Sequence, residues 1–459
     1  MRPDPECGPT LAELAGRLAS GQTSSRQLVE DCLVRIADPE GEGARAFTLV
    51  DTAQALAAAD AFDKLREHGA SPSRFAGIPV SVKDLFDVAG QVTCAGSRVL
   101  AWEAAARCDA TAVQRLRRAG FVLIGRTQMP EFALSALGLN PHFGTPLSPW
   151  DRATARAPGG SSSGAAVSVA DGMAHAALGS DTGGSCRIPA AFCGVVGFKP
   201  TARSVPTDGV VPLAPSLDAV GPLARSVSCC ASLYALLSAT ADTPLVPLDL
   251  RGLRLGVPRT LVLDGLDEAV AVAFDRVLVT LSERGAVIVD LKLAAFSDVP
   301  RMHARGSFAA AESLAWHRTW ITRHRDRYDP RVLERIERGA QMTATDYIDL
   351  LAARQAFVEA VGTEAGTVDA MVMPTCAIVP PRIADLHDDA VFNRLNLMAL
   401  RNAALVNLFD GCAISLPMHR RGEPPSGLMI ANVAGQDRSL LKIANSVEAA
   451  LIATLTACD

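Results

Sequence analysis

A glycine- and serine-rich segment in the middle of the chain constrains the fold more than any other feature. Residues 159–197 read GGSSSGAAVSVADGMAHAALGSDTGGSCRIPAAFCGVVG and hold nine glycines and six serines in 39 residues. A regular helix or strand would not tolerate this density, since each interior glycine costs about 0.5 to 1 kcal/mol relative to alanine. The segment therefore predicts two tight turns, at Gly159-Gly160 and Gly183-Gly184, on either side of an alanine-rich helix that begins near Ala165. Each turn presents serines.

Apolar runs and helical periodicity elsewhere predict a layered α/β fold. Thr10-Leu-Ala-Glu13 and Ser24-Ser-Arg-Gln27 fit the capping-box pattern, so the chain is expected to open with paired helices. Glycine-bounded apolar runs are typical of buried strands, and they lie at 78–82, 121–124, 286–291, 368–373, 413–416 and 428–430. Helical stretches such as 109–119 and 347–361 alternate with these runs, which favours helices layered on a sheet.

Charge and hydropathy exclude several classes of protein. The formal net charge of -5 gives no broad cationic field of the kind that holds a nucleic-acid backbone or an anionic membrane. The longest uncharged apolar stretch, 226–241, is shorter than the roughly 20 residues that span a bilayer. We therefore expect a small-molecule partner, and neither a nucleic acid nor a membrane.

The cysteines and the first residues favour a cytoplasmic protein. Eleven cysteines are scattered along the chain and form no C-x-x-C pair, which indicates reduced thiols and argues against a zinc site. The opening residues, MRPDPECGPT, include acidic residues and lack the apolar stretch of a secretory signal. The sequence therefore predicts a soluble cytoplasmic protein without a metal centre.

Glycine turns that carry serines can bind phosphate, present a nucleophile or simply pack. A Walker P-loop is excluded, because no lysine follows a glycine in the position that G-x-x-x-x-G-K-[ST] requires, and the dinucleotide motif G-x-G-x-x-G is missing. The nucleophile elbow of α/β hydrolases is not satisfied either: GSSSG at 160–164 has the wrong context, and GGSCR at 183–187 lacks the second glycine. A serine nucleophile of another design is left.

A serine hydroxyl needs a neighbouring base, because it is a weak nucleophile at neutral pH. His175 is the one histidine among eight that falls in the glycine-rich segment, and it is expected in the helix rather than in a turn. Lys83 directly follows the apolar run GIPVSV at 77–82, so it is expected at the end of a buried strand. Burial lowers the pKa of a lysine, which would make the neutral amine available as the base. Lys199 is a second candidate, which we interpret as structural.

Three stretches of the sequence carry a resemblance to a known family. They are GIPVSVKD at 77–84, PGGSSSG at 158–164 and GSDTGGSCRIPAAFCGVVGFKPT at 179–201. With the 24-residue step from Ser161 to Ser185 and a lysine upstream, they resemble the amidase-signature enzymes. Similarity extends from TSSRQLVE at 23–30 to GLMI at 427–430 and DRSLL at 437–441. The resemblance therefore covers nearly the whole chain.

The resemblance implies a catalytic triad and a mechanism. Ser185 would be the nucleophile, Ser161 the bridging serine and Lys83 the base, and the peptide bond between Gly160 and Ser161 would be cis. The oxyanion hole would consist of four backbone N–H groups, those of Thr182, Gly183, Gly184 and Ser185. The expected reaction is hydrolysis of a small carboxamide to a carboxylic acid and ammonia or an amine through an acyl-enzyme, without any metal or organic cofactor.

Polar residues near the triad are interpreted as supporting it. Ser162 is expected to make structural hydrogen bonds within its turn, and Asp181 and Arg187 are expected to support the nucleophile rather than to contact substrate. Cys186 is interpreted as an inert core thiol, because no histidine partner accompanies it and because the family uses the adjacent serine.

The resemblance also implies a single α/β/α domain with a mixed central sheet over residues 1–459. Residues 1–70 would form an N-terminal helical segment, 77–205 the core with the catalytic residues, and 206–459 the rest of the sheet and the pocket rim. The region 303–341, with Trp316, Trp320 and Tyr328, is expected to shape that rim. Arg335 is a candidate for binding a substrate carboxylate, although an exposed helix charge is an equally good interpretation.

Two other functions are open on the sequence alone. The same motifs would serve the glutamine-hydrolysing A subunit of a tRNA amidotransferase, which requires a partner subunit to use the ammonia. A catalytically inactive relative would be expected to lack Lys83, Ser161 or Ser185, and all three are present. A homodimer is also compatible with the sequence.

Overall fold

One mixed sheet forms the centre of the molecule. The computed structural model describes residues 8–455, and within them the sheet has eleven strands. The strands are β1 Phe47–Val50, β2 Pro79–Lys83, β3 Val122–Thr127, β4 Ala176–Asp181, β5 Val196–Lys199, β6 Ala219–Ala224, β7 Arg254–Pro258, β8 Val287–Leu291, β9 Ala370–Pro374, β10 Cys412–Pro417 and β11 Gly427–Asn432. Their order across the sheet is β1-β3-β2-β4-β6-β5-β10-β11-β9-β7-β8.

Helices connect the strands and cover the sheet. The α-helices are α1 Leu11–Ala19, α2 Ser25–Ala37, α3 Gly43–Ala46, α4 Thr52–Glu67, α5 Thr111–Arg118, α6 Ser163–Ala170, α7 Arg187–Cys193, α8 Val227–Ser238, α9 Glu268–Glu283, α10 Val299–Met302, α11 Phe308–His324, α12 Pro330–Glu337, α13 Ala344–Ala365, α14 Asp389–Leu408 and α15 Asp437–Leu455. Short 3₁₀ helices lie at Glu131–Ala133, Arg152–Thr154, Ala294–Asp298, Arg325–Arg327, Arg338–Gln341 and Ile383–Leu386.

Both faces of the sheet are buried. In β11, Leu428 and Ile430 belong to one apolar cluster, whereas Met429 and Ala431 belong to another. The first cluster includes residues of α8 and α15, and the second includes residues of α14. Because successive side chains of a strand point to opposite faces, the helices lie on both sides of the sheet. The predicted α/β/α layering around a mixed sheet is confirmed.

The pairing of β2 with β4 brings the two glycine-rich turns towards one edge of the sheet. The two strands are parallel neighbours, with Val80 opposite Ala176 and Val82 opposite Leu178. The carboxyl ends of parallel strands lie at the same edge, so Lys83, the last residue of β2, lies beside the end of β4. The second glycine turn follows β4 directly.

Most elements predicted from periodicity are confirmed, with small shifts at their ends. The six apolar runs correspond to β2, β3, β8, β9, β10 and β11, and the two helical stretches correspond to α5 and α13. Thr10 caps α1 in a reciprocal capping box with Glu13. Ser24 caps α2 by accepting from the Gln27 N–H, but the Gln27 side chain donates to Asp31 instead.

The predicted course of the central segment needs one correction. The alanine-rich helix, α6, begins at Ser163, close to the expected start, but it ends at Ala170, and β4 occupies Ala176–Asp181. His175 therefore lies outside the helix, immediately before the strand. Alanines at 174, 176 and 177 suit the close packing of a buried strand as well as a helix, so composition did not separate the two.

The stretch 226–241 forms a helix of the apolar core rather than a membrane span. It contains α8, Val227–Ser238, which packs in the first apolar cluster. Across residues 8–455 no helix combines the length and apolar character needed to cross a membrane. The proposed subdivision of the chain at residues 70, 77 and 205 stays a prediction.

Candidate active site

Lys83 lies at the centre of a buried cluster of hydroxyl groups. Its side chain is fully buried at the end of β2. Its Nζ atom lies 2.7 Å from Ser161 Oγ and 2.8 Å from Ser180 Oγ. The structure thus brings together an amine from β2, a hydroxyl from the first glycine turn and a hydroxyl from β4.

Burial changes the protonation of this lysine. Desolvation lowers the pKa of Lys83 from 10.5 to about 8, although the nearby carboxyl groups of Asp181 and Asp218 act in the opposite direction. This is the direction expected for a lysine at the end of a buried strand. A substantial fraction of the side chain is therefore a neutral amine at mildly alkaline pH, and it can accept a proton.

The first glycine turn places Ser161 against Lys83. The Gly160-Ser161 peptide bond is cis, as the resemblance implied. The N–H of Gly160 donates to the carbonyl of Ala136 at 2.7 Å. A Cβ atom added at Gly160 would lie 2.5 Å from the carbonyl oxygen of Ser135, so only glycine fits this close approach of two backbones.

The second glycine turn carries Ser185 just before α7. Gly184 has a φ of +125°, a value that residues other than glycine rarely adopt. The Ser162 N–H donates to the carbonyl of Ser185 at 3.2 Å, so the two turns are tied together. Among the hydrogen bonds of residues 8–455, none joins the Ser161 and Ser185 hydroxyls. Catalytic hydrogen bonds often tighten only when substrate is bound.

Asp181 and Arg187 form a buried ion pair beneath the second turn. Arg187 Nη2 lies 2.8 Å from Asp181 Oδ1, and both side chains are completely inaccessible to solvent. Arg187 also donates to Asn407 Oδ1 at 2.7 Å, and Asn407 Nδ2 donates to Asp181 Oδ1 at 3.0 Å. Burial alone would raise the pKa of Asp181, but Arg187, supported by Lys199 and the Cys186 N–H, outweighs it, so the pKa lies well below its usual range. Asp181 is therefore a fixed anion.

The Asp181 carboxylate determines the shape of the turn. It accepts the Gly184 N–H at 2.8 Å and the Cys186 N–H at 3.0 Å. The Gly184 N–H, expected in the oxyanion hole, is therefore engaged by Asp181 in this structure. The other three N–H groups expected there are those of Thr182, Gly183 and Ser185. Within residues 8–455 they have no hydrogen-bond partner.

A second carboxylate supports the same turn from the other side. Thr182 Oγ1 donates to Asp218 Oδ1 at 2.5 Å, and the Leu213 N–H donates to Asp218 Oδ2 at 3.0 Å. Burial raises the pKa of Asp218 despite these hydrogen bonds. Asp218 thus joins the start of the second turn to the segment before β6.

The competing candidates for catalysis lie in other surroundings. Burial raises the pKa of the Cys186 thiol far above its ordinary value, and its sulfur faces the Gly221 carbonyl. Lys199 is also buried, but its Nζ donates to the carbonyls of Pro200 and Gly411 at 2.7 and 2.6 Å. Burial lowers the pKa of His175 to about 4. These contacts agree with structural roles for the thiol and for Lys199.

A cleft lies next to the first glycine turn. It is lined by Pro130, Leu134, Ser135, Leu139, Asn140, Pro141, Thr145, Asp329, Arg331, Val332, Arg335, Ile383, Leu386, His387 and Phe392. Since the Ser135 carbonyl borders Gly160, the wall of this cleft adjoins the cis peptide. The residues predicted for the rim lie partly elsewhere. Residues of α12 line the cleft, whereas Trp316 and Trp320 do not line it; the Trp316 ring packs against those of Phe132 and Trp320.

Arg335 projects into this cleft. Its Nη1 donates to the carbonyl of Leu134 at 2.6 Å and its Nη2 to Asn393 Oδ1 at 3.0 Å. Its guanidinium lies 5.1 Å from the centre of the Phe392 ring, and Arg331 lies over the same ring at 4.5 Å. Among the ion pairs of residues 8–455, none neutralises Arg335. Its role as a carboxylate ligand stays a prediction.

Sequence reasoning missed three residues of the site. Ser180 precedes Asp181 in the quoted GSDTGGS motif, and its place in that motif was the available signal. Asp218 directly precedes β6, which was not predicted. Asn407 is buried on α14, and nothing near it in sequence indicates that it meets Asp181. Within residues 8–455, no group of histidine, cysteine and acidic side chains is arranged to hold a metal ion.

Comparisons with known proteins agree with this geometry. The family model described as Amidase matches residues 27–441. The chain is 35% identical over 450 residues to 2-amino-5-chloromuconic acid deaminase of Comamonas testosteroni, covering 96% of each chain. It is 33% identical over 476 residues to the A subunit of glutamyl-tRNA(Gln) amidotransferase from Myxococcus xanthus, again covering 96% of each. A crystal structure of an amidase is similar with a TM-score of 0.87 and 31% identity, over 96% of this chain and 100% of that one.

Proposed function

Because the chain belongs to the amidase family, whose members hydrolyse amides, we propose that it hydrolyses a small linear carboxamide through a covalent ester on Ser185. The observation that carries this proposal is the 2.7 Å contact between the buried Lys83 amine and Ser161 Oγ. A neutral amine beside a hydroxyl, on a turn tied to the Ser185 turn, is the arrangement that a serine nucleophile without histidine needs.

The proposed reaction proceeds through two proton transfers. Lys83 accepts the proton of Ser161, and Ser161 accepts the proton of Ser185 as Ser185 Oγ forms a bond with the amide carbon. The C–N bond then breaks, and the proton returns through Ser161 to the leaving nitrogen, which departs as ammonia or an amine. Water repeats the same relay on the ester, releases the carboxylic acid and restores Ser185. No cofactor takes part in these steps.

The negative charge that develops on the amide oxygen needs hydrogen-bond donors. The N–H groups of Thr182, Gly183 and Ser185 are proposed as the oxyanion hole, since Gly184 already donates to Asp181. Removing a single donor from such a site lowers kcat by about 10²- to 10³-fold. Asp181 and Asp218 contribute indirectly, because they hold the turn that carries these donors.

The cleft supports a substrate that also carries a carboxylate. Arg335 and Arg331 both line it, and arginine suits bidentate recognition of a carboxylate. The Comamonas relative is named for an acid as its substrate, which agrees with this charge. We therefore infer an amide whose acyl part ends in a carboxylate, bound with the carboxylate at Arg335 and the amide carbon at Ser185.

The test is a screen of the purified chain for ammonia release. The panel should include butanamide, succinamate, glutamine, simple ureides and an amino-acid amide, with no tRNA, nucleotide or metal added. We expect release from at least one small amide, insensitive to EDTA and lost in Ser185→Ala. Fluorophosphonate labelling mapped by mass spectrometry should mark Ser185. Labelling elsewhere, or full turnover by Ser185→Ala, would refute the assignment.

A second candidate function is the glutamine-hydrolysing component of an amidotransferase. It is favoured by the similarity to the Myxococcus protein over nearly the whole chain. In that case ammonia would be released from glutamine only after a partner protein is added. The net charge of -5 offers little attraction for a tRNA and favours the stand-alone enzyme, acting in the cytoplasm, where its free thiols would stay reduced.

A further inference from the structure

Residues 131–136 form a short segment that contacts both the first glycine turn and α12, the helix that carries Arg335. The Ala136 carbonyl accepts the N–H of Gly160 at 2.7 Å, next to the cis peptide. Two residues earlier, the Leu134 carbonyl accepts from Arg335 Nη1 at 2.6 Å. The position of Arg335 relative to Ser161 therefore depends on how this segment is held.

The carboxylate of Glu131 anchors the segment to α12. Glu131 is fully buried, and Oε2 accepts the N–H of Asp329, the N-cap residue of α12, at 2.8 Å. Oε1 accepts from Ser97 Oγ at 2.7 Å and lies 2.9 Å from His142 Nε2. Glu131 thus holds the start of the helix, while Leu134, three residues further on, holds the side chain of Arg335.

The backbone after Glu131 is in a conformation that needs such support. Phe132 and Ala133 have φ values of +49° and +62°, in the left-handed region that residues with a side chain rarely adopt. The Phe132 ring is buried and packs edge-on against the His317 ring, with centroids 4.3 Å apart, and against Tyr328 at 5.6 Å. The segment is therefore fixed by an aromatic contact on one side and by the Glu131 carboxylate on the other.

We propose that Glu131 is a positioning residue that sets the distance between Arg335 and the Ser161–Ser185 site, and thereby the preference for amides that bear a carboxylate. The inference rests on the proposed function, since it assigns a support to the same cleft. Glu131 does not contact substrate. It acts through the Asp329 N–H at the start of α12 and through the course of the chain to Leu134.

The test compares two substrates that differ only in the terminal group, succinamate and butanamide. In Glu131→Gln one carboxylate oxygen becomes an NH2 group and the negative charge is lost. Whichever way the amide turns, the hydrogen bonds that hold the segment to α12 and to Ser97 become weaker, because their acceptor is no longer charged. A displacement near 1 Å costs about 10²-fold in a positioned site, so we expect kcat/KM for succinamate to fall about 10- to 100-fold, mainly through KM. For butanamide we expect a change below about threefold, and fluorophosphonate labelling of Ser185 at an unchanged rate.

A matched control is Glu42→Gln. Glu42 is also buried, accepts a backbone N–H from Leu147 at 2.9 Å and pairs with Arg45, but it does not touch α12 or the cleft. We expect this variant to keep the ratio of the two kcat/KM values. Equal losses in both variants would mean that any buried carboxylate matters in the same general way, and would overturn the proposal.

Further outcomes separate this inference from the proposed function. If Arg335→Met removes the preference for succinamate and Glu131→Gln leaves it intact, carboxylate recognition stands and the positioning role is overturned. If Arg335→Met leaves the preference intact, carboxylate recognition at Arg335 fails, whatever Glu131→Gln does. If Glu131→Gln does not fold, Ser97→Ala removes one donor to the same carboxylate, and an unchanged preference in that variant overturns the positioning role.

Discussion

The titration of Lys83 gives the sharpest test of the proposed base. The neutral amine is the active form, and burial lowers its pKa from 10.5 to about 8. Activity should therefore rise with pH through about 8, and below that value kcat/KM should fall about tenfold for each pH unit, because one proton must be lost before the amine can act. The position of the limb identifies the lysine, because a carboxylate or imidazole base would also lose activity on protonation, but near pH 4 to 7.

The size of the effect follows from the same pKa. About one eleventh of the enzyme would hold neutral Lys83 at pH 7 and about ten elevenths at pH 9, so activity should differ roughly tenfold between them. The same shift predicts a stability effect, since each pKa unit corresponds to about 1.4 kcal/mol. The folded state disfavours the proton, so the lysine destabilises the fold progressively as pH falls from 10.5 to about 8. Below about pH 8 this penalty is constant.

The assay is the pH dependence of kcat/KM for the best amide of the panel, with circular dichroism to establish that each variant is folded. Lys83→Met should retain only trace activity. Its free energy of unfolding should rise relative to that of the unaltered protein as pH falls towards 8. Lys199→Met is the matched control, because burial also lowers the pKa of Lys199 to about 8. That variant leaves two carbonyls without a donor and is expected to be less stable, but its pH limb should be unchanged.

Two results would refute the reasoning. A limb that persists unchanged in Lys83→Met would mean that another group titrates. Loss of the limb in Lys199→Met, with Lys83 intact, would mean that Lys199 is the titrating lysine and not Lys83.

Three further variants test the surroundings of the triad. Ser180→Ala should lower kcat/KM about tenfold and move the acid limb to lower pH, since the ammonium form of the base loses a hydrogen-bond acceptor, whereas Ser180→Thr should retain most activity; an unmoved limb in the alanine variant would contradict this role. Asp181→Asn leaves Arg187 buried without its counter-ion, so thermal or denaturant unfolding should show a loss of about 3 to 5 kcal/mol, and a loss below about 1 kcal/mol would argue against the pair. Cys186→Ser should keep nearly full activity and fluorophosphonate labelling, because the thiol faces a backbone carbonyl. Loss of labelling in a folded Cys186→Ser protein would make Cys186 the candidate nucleophile.

The elements that the sequence predicted well are those whose burial is evident from a short stretch of residues. The run 428–430 is apolar at every position, and 413–416 at every position except Ser415, because both faces of β10 and β11 are covered. By contrast, β4 was not predicted, and His175 just before it was placed in the preceding helix, because alanines suit either element. What makes AALGSD a strand is its pairing with β2 and β6, which no local pattern shows.

The site divides in the same way. Lys83 and the two serine turns were identified because each has a distinctive local sequence. The family resemblance implied that the Gly184 N–H belongs to the oxyanion hole, but in the structure the Asp181 carboxylate accepts it. Asn407 reaches Asp181 from 226 residues away, and such a contact is visible only in three dimensions.

The charges around Ser185 give a reason for the proposed separation between the site of chemistry and the site of carboxylate recognition. Asp181 is held as an anion by Arg187, while Lys83 is partly neutral, so the groups beneath the second turn carry little net positive charge. A substrate carboxylate placed here would be repelled by Asp181 and would compete for the N–H groups meant for the developing oxyanion. Arg335, in the adjoining cleft and without an acidic partner among the described residues, offers the cation that such a carboxylate needs. On this reasoning the distance between Arg335 and Ser185 selects the length of the acyl chain, so amides of a graded series of dicarboxylic acids should show a single optimum in kcat/KM, and a flat profile across the series would contradict it.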